Sequence, residues 1–278
     1  MDSLMASDGI PRRAFPVWET FADVASASDR WLLRFAQMFV FLMMAIGCNP
    51  SERKDPVNDT LPSSGSNIAT ISSSSTVEFL PNERELAERL QQLGAELGQD
   101  SAGAVTRVNL FATGASDNDL KQLVVFKTLH TLLLPVEATD ASLAELVSLT
   151  QLEVLHTPPD ITDAGLAHVA ELVNLQELHM YGSKRITDMG LRYLQDLTRL
   201  EYVGLQNTNL TGAGIVFLRE LDNLKWLSLS FTRTSDVEVV HLSSMTQLRG
   251  VSLYGTDVSS PAVTRLQDAL PQCVVMYR

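Results

Sequence analysis

Cysteine is nearly absent. The 278 residues contain two, Cys48 and Cys273, too few for a disulfide framework and without the spacing of a zinc site. Basic charge is also short, with 21 Lys and Arg against 33 Asp and Glu, a net charge of −12 and a pI near 4.8. Nucleic-acid binders carry a basic face, so this balance argues against that class. Aromatic residues make up only 6% of the chain. No apolar run reaches the ~20 residues of a membrane-spanning helix. The motifs G-x-x-x-x-G-K, G-x-S-x-G, H-E-x-x-H and C-x-x-C are all missing, and with them the usual phosphate loop, nucleophile elbow and zincin helix. What remains, 45% hydrophobic and 19% charged, is ordinary globular composition.

The chain does have a period. Successive units open on Val105, Leu129, Leu152, Leu175, Leu200, Leu224 and Leu248, and Cys273 begins a partial unit. The spacings are 24, 23, 23, 25, 24, 24 and 25 residues. Repetition of this length marks a stack of small units and outranks local propensity. Within a unit the apolar positions are 1, 4, 6, about 11, 16, 19 and 22, as in Leu200, Val203, Leu205, Leu210, Ile215, Leu218 and Leu221. Positions 4 and 6 alternate with polar neighbours, which is strand spacing. Positions 16, 19 and 22 suit one face of a short helix. Thr162-Asp163, Thr187-Asp188 and Ser235-Asp236 place a hydroxyl and an acid at the start of that helix, where free N–H groups need acceptors. Pro261 after Ser259-Ser260 fits a first helical turn. Thr113, Thr208, Thr232 and Thr256 share position 9, which fits either a hydroxyl ladder onto neighbouring turns or a column of ordinary turn threonines. No unit buries its own apolar face, so the units stack, with a parallel sheet inside and helices outside.

Ile161-Thr162-Asp163-Ala164-Gly165-Leu166 and Ile186-Thr187-Asp188-Met189-Gly190-Leu191 resemble the leucine-rich repeat in its T-D-x-G-L variety. That variety occurs in bacterial repeat proteins and in F-box leucine-rich-repeat proteins. The resemblance covers residues 105–278 and implies an α/β fold, a right-handed leucine-rich-repeat solenoid of seven repeats plus a terminal strand, with the parallel sheet concave. It implies no catalytic residues and no cofactor. Two units depart from the pattern. Pro135-Val136-Glu137 and Thr139-Asp140-Ala141-Ser142-Leu143 stand in one, Pro158-Pro159 in the next, and both are expected to be irregular.

Ahead of the repeats, residues 1–29 receive no assignment. Arg30 and Arg34 precede a short apolar run ending at Ala45-Ile46-Gly47-Cys48, the layout of a secretory signal over residues 30–47. The last four residues resemble the lipobox of bacterial lipoproteins, which implies lipidation of Cys48 and an envelope location, facing the periplasm or the exterior. Residues 48–79, with Ser63-Ser64-Gly65-Ser66 and Ser72-Ser73-Ser74-Ser75, read as a disordered tether. Residues 80–104 read as a cap. Leu86, Leu90, Leu93 and Leu97 lie on one face of a helix expected over 82–97, with Asn82 and Glu85 as a capping pair. Cys273 falls in a strand pattern and is expected to be buried and inert.

Positions 3, 5 and 7 of each unit face away from the core. They bring Phe111, Tyr181, Tyr202, Trp226 and Tyr254 to one surface, although core packing does not require aromatics there. Tyr and Trp concentrate at protein interfaces. His156 and His179 share position 5 in neighbouring strands, but two histidines with Glu177 fall short of a metal site. The partner-binding residues expected are therefore Tyr181, Tyr202, Trp226, Tyr254, Phe111 and His179, with no metal. The function expected is non-catalytic recognition of a protein by a lipid-anchored envelope module. A substrate receptor related to F-box repeat proteins is the alternative, and an enzyme or metal-binding protein ranks below it.

Overall fold

The computed structural model describes residues 81–278. The expected signal, Cys48 and the tether lie outside the described residues. The described part opens with helix α1 (Pro81–Gln92) and strand β1 (Glu96–Gln99). Seven strands follow at the repeat period: β2 (Val105–Asn109), β3 (Thr131–Leu133), β4 (Val154–His156), β5 (Glu177–His179), β6 (Tyr202–Gly204), β7 (Trp226–Ser228) and β8 (Gly250–Ser252). β9 (Val274–Met276) is the last, and the nine strands make one sheet in sequence order. Pairing from β2 onward is parallel. From β2 to β8 it sets position 3 beside position 3, and β9 sets Val274, the second residue of its unit, beside Gly250. The expected irregularity of the two proline-bearing units does not reach the sheet: β3, β4 and β5 pair without a shift.

The cap differs from the helix expected over 82–97. α1 stops at Gln92, Gly94 takes a left-handed φ of 91°, and Glu96–Gln99 turns back as an antiparallel partner of β2. Leu86, Ala87 and Leu90 cover the first repeat, while Leu97 acts from the strand. The antiparallel strand closes a sheet edge that a helix alone would leave open.

The outer wall consists of α2 (Asp117–Gln122), α3 (Asp140–Ala144), α4 (Asp163–Val169), α5 (Asp236–Leu242) and α6 (Ser260–Ala269). Where α-helix was expected after β5 and β6, Gly190–Leu194 and Ala213–Leu218 form 3₁₀ turns. Apolar spacing of three residues matches the three residues per turn of that helix. Leu200, Val203, Leu205, Leu210, Ile215, Leu218 and Leu221 are each no more than 1% exposed, so the expected register holds.

The acids of the T-D motif serve the neighbouring repeat rather than their own helix. Asp163 accepts from the Thr187 N–H at 2.8 Å and its hydroxyl at 2.6 Å. Asp140 does the same for Thr162, and Asp236 for Ser259. Asp188 reaches Thr211 and also the N–H groups of Gly212 and Gly214. The motif's glycine makes room for this arm, since a Cβ on Gly165 would meet the Asp140 carboxylate and one on Gly190 that of Asp163. Ser142 occupies the glycine place in its unit and donates its hydroxyl to Asp117. The position-9 threonines form no such ladder. Thr113, Thr208, Thr232 and Thr256 each donate to the carbonyl three residues back in their own turn.

Gaps in the ladder are filled locally. Gly212 stands where an acid would serve Ser235, and Glu238 of the same helix accepts from Ser235 instead. These bonds hold the Glu238 carboxyl below its usual range. At the first repeat Asp119 caps Ser116 itself and pairs with Arg89 of α1 at 2.5 Å. The Arg89 guanidinium lowers the Asp119 carboxyl to about 2.

Candidate interface on the concave sheet

The inner face is laid out in rows by the parallel register. The position-3 row runs Arg107, Thr131, Val154, Glu177, Tyr202, Trp226 and Gly250. The position-5 row runs Asn109, Leu133, His156, His179, Gly204, Ser228 and Ser252. Charge is sparse on a strongly acidic chain: these two rows hold Arg107 and Glu177 besides the histidines.

Four of the six expected binding residues keep some exposure at this face, but they do not form one even patch. Trp226, Tyr181 and Tyr254 are half-buried, and Phe111 is 52% exposed near the N-terminal end of the sheet. The Trp226 ring reaches over Gly250 of the next strand, where a Cβ would come within 2.0 Å of the ring. Glycine at that place is what lets the indole sit there. At this end of the face Ser228, Ser230 and Ser252 are buried, with the Ser230 and Ser252 hydroxyls 2.6 Å apart.

Tyr202 departs from its expectation as an exposed contact residue. It is 2% exposed. Its ring leans across Gly204, reaches His179 at 4.5 Å, and its hydroxyl accepts from the Gln206 side chain at 3.0 Å. Burial pushes its phenol up to about 12. His179 is 7% exposed and likewise supports the surface rather than presenting itself. It stacks on His156 with 3.9 Å between centroids and 7° between planes. Face-to-face imidazoles cannot converge their ring nitrogens on one ion, and among the described residues no group of three metal-ligating side chains forms.

Phe231 was missed by the sequence reading. It is 59% exposed, and its ring rests over Gly255. Its φ of 58° is left-handed, a costly conformation for a bulky residue. The turn imposes it: Gly182, Asn207, Phe231 and Gly255 occupy the same place in four consecutive units, all at positive φ. The N–H groups of Gly182, Asn207 and Phe231 reach the next unit's carbonyl. Reading that column as Gly, Asn, Phe, Gly would have singled out the phenylalanine.

Cys273 is buried at 2% exposure with its thiol raised to about 11 by desolvation, as expected for an inert apolar position.

No family profile and no curated protein matches the chain. Solved structures do. Internalin C2 of Listeria monocytogenes aligns with a TM-score of 0.50 at 19% identity, over 71% of this chain and 93% of that one. An internalin of the same organism aligns at 0.45 and 19%, over 56% of this chain and 43% of that one. A leucine-rich-repeat protein of Leptospira interrogans aligns at 0.39 and 22%, over 55% and 38%. The chain thus spans less than half the length of the latter two.

Proposed function

The fold is a leucine-rich-repeat solenoid, and on that premise we propose that the chain is a non-catalytic module that recognises a protein on its concave sheet. The observation that carries this reading is Trp226, an indole that reaches over Gly250 and is half-buried on the sheet. A surface already ordered before contact loses little entropy on binding. Interface energy concentrates in a few Trp, Tyr and Arg side chains, each worth ~2 kcal/mol or more on truncation. Tyr254 and Tyr181 flank the indole in this reading, Phe231 marks the turn-side rim, and Phe111 marks the far end. Tyr202 and His179 act from beneath.

Capture by a photo-crosslinking residue at position 254 should yield a protein partner. Trp226→Ala should then weaken its binding at least tenfold, which corresponds to ~1.4 kcal/mol. Val240→Ser, on the convex side and 63% exposed, should leave binding unchanged. The reverse pattern would move the interface to the helices. Asp188→Ala does not serve as a control, because its carboxylate holds the next repeat.

The second part of the proposal is delivery to the cell envelope through a lipid on Cys48, supported by the lipobox-like Ala45–Cys48. Cys48→Ser should move the protein out of the membrane fraction and remove the acyl mass. Unchanged partition without an acyl mass would sink the anchor while leaving the recognition reading intact.

A further inference from the structure

Three rings stand in a row at the middle of the concave sheet: His156 on β4, His179 on β5 and Tyr202 on β6. The register sets His156 beside His179 and His179 beside Gly204. Because position 204 has no side chain, the Tyr202 ring swings over it and completes the stack; a Cβ there would sit 2.9 Å from the ring and from Oη. His179 has one weak polar contact, Nε2 to Glu177 Oε2 at 3.4 Å. Its Nδ1 is buried without a hydrogen-bond partner. The neutral tautomer with the proton on Nε2, facing the carboxylate, leaves Nδ1 as a bare lone pair.

We propose that this stack is an acid-released latch that holds the Tyr202 ring in the floor of the concave face while both imidazoles are neutral. A proton on the pair opens the row and brings Tyr202 out beside Trp226. A proton on His179 Nδ1 creates a buried N–H with no acceptor, and the ring must leave its slot to find one. A proton on His156 meets the ring of His179, with Arg107 of β2 adding repulsion. The remaining groups facing the row are Thr131 and Leu133 of β3, which carry no charge, Glu177 of β5, which attracts a proton, and the Tyr202 phenol of β6. Burial, then His179, then Arg107 hold the His156 imidazole well below its usual 6.5. A lowered folded value means the closed form has its full advantage above pH 6.5 and loses it as pH falls from there toward the lowered value. Use of the latch to alter recognition rests on the concave face being the binding face; the latch itself does not.

The test is hydroxyl-radical footprinting of the full chain between about pH 8 and pH 5, the range in which histidine changes charge. Tyr202 should be protected at the upper end and become several-fold more reactive at the lower. Met180, 0% exposed in the core, monitors unfolding and should stay protected throughout. His156→Phe with His179→Phe keeps two stacked rings without a titrating group and should keep Tyr202 protected at both ends. If that double variant does not fold, His156→Gln should expose Tyr202 already at the upper end. Unchanged Tyr202 reactivity in the wild-type chain overturns the latch, as does an equal rise in the double variant or a joint rise of Tyr202 and Met180. These outcomes are read on the free chain, so the concave-binding reading survives them and stands or falls on Trp226.

Discussion

Asp119 shows how one side chain can carry the start of a stack. It is 1% exposed, accepts from Ser116 twice and pairs with Arg89. Hydrogen bonds to a charged group contribute ~1.5–3 kcal/mol, so Asp119→Asn should lower the unfolding free energy read from urea titration by about that much at neutral pH. The depressed carboxyl adds stability that is full above its unfolded value of 3.8 and is lost as pH falls toward about 2. The wild-type chain should therefore lose stability across that window, and the variant should lose less; parallel acid limbs would mean the pair is neutral in effect. Asp119 closes the capping box of its own helix with Ser116. Its partner Arg89 was not legible, because 30 residues separate the two and only the seating of α1 on the first repeat brings them together.

At the scale of the element, the T-D-x-G-L segment is a joint between repeats. The acid of one unit holds the cap hydroxyl and N–H of the next, and the glycine leaves space for the acid of the unit before. Gly190→Ala should push a methyl onto the Asp163 carboxylate and break its two bonds to Thr187. These bonds lie at the surface, so losing them costs the ~0.5–1.5 kcal/mol of an ordinary hydrogen bond each, to be read as a shift in thermal midpoint. A neutral effect would mean the carboxylate relocates freely. Gly190→Ser should be milder if the hydroxyl can copy Ser142, which donates to Asp117 from the same place. The sequence shows Thr187 and Asp163 as capping residues 24 positions apart. That one caps the other follows from stacking, which puts corresponding positions side by side.

Across the whole molecule, stability belongs to neighbours in the stack. Leu205 is 0% exposed in a middle repeat. Leu205→Ala should cost ~2–5 kcal/mol through lost burial and a cavity. Each unit stabilises the next, so hydrogen exchange should quicken in the units of β5 and β7 as well as in that of β6. Exchange confined to one unit, or a loss below about 0.5 kcal/mol, would mean the repeat is not where the period puts it.

The repeat length, the strand positions, the buried leucine columns and the concave placement of the aromatics follow from the sequence alone, because a period of apolar residues records which side of each element must leave water. Tertiary structure settled how far each of those aromatics is buried. Tyr202 and Trp226 stand at the same repeat position, yet one is buried and the other half open. The Tyr202 ring folds back over Gly204 onto His179, while the Trp226 ring spreads over Gly250. Which neighbour lacks a Cβ is a property of the adjoining strand, and only the assembled sheet says which strand adjoins.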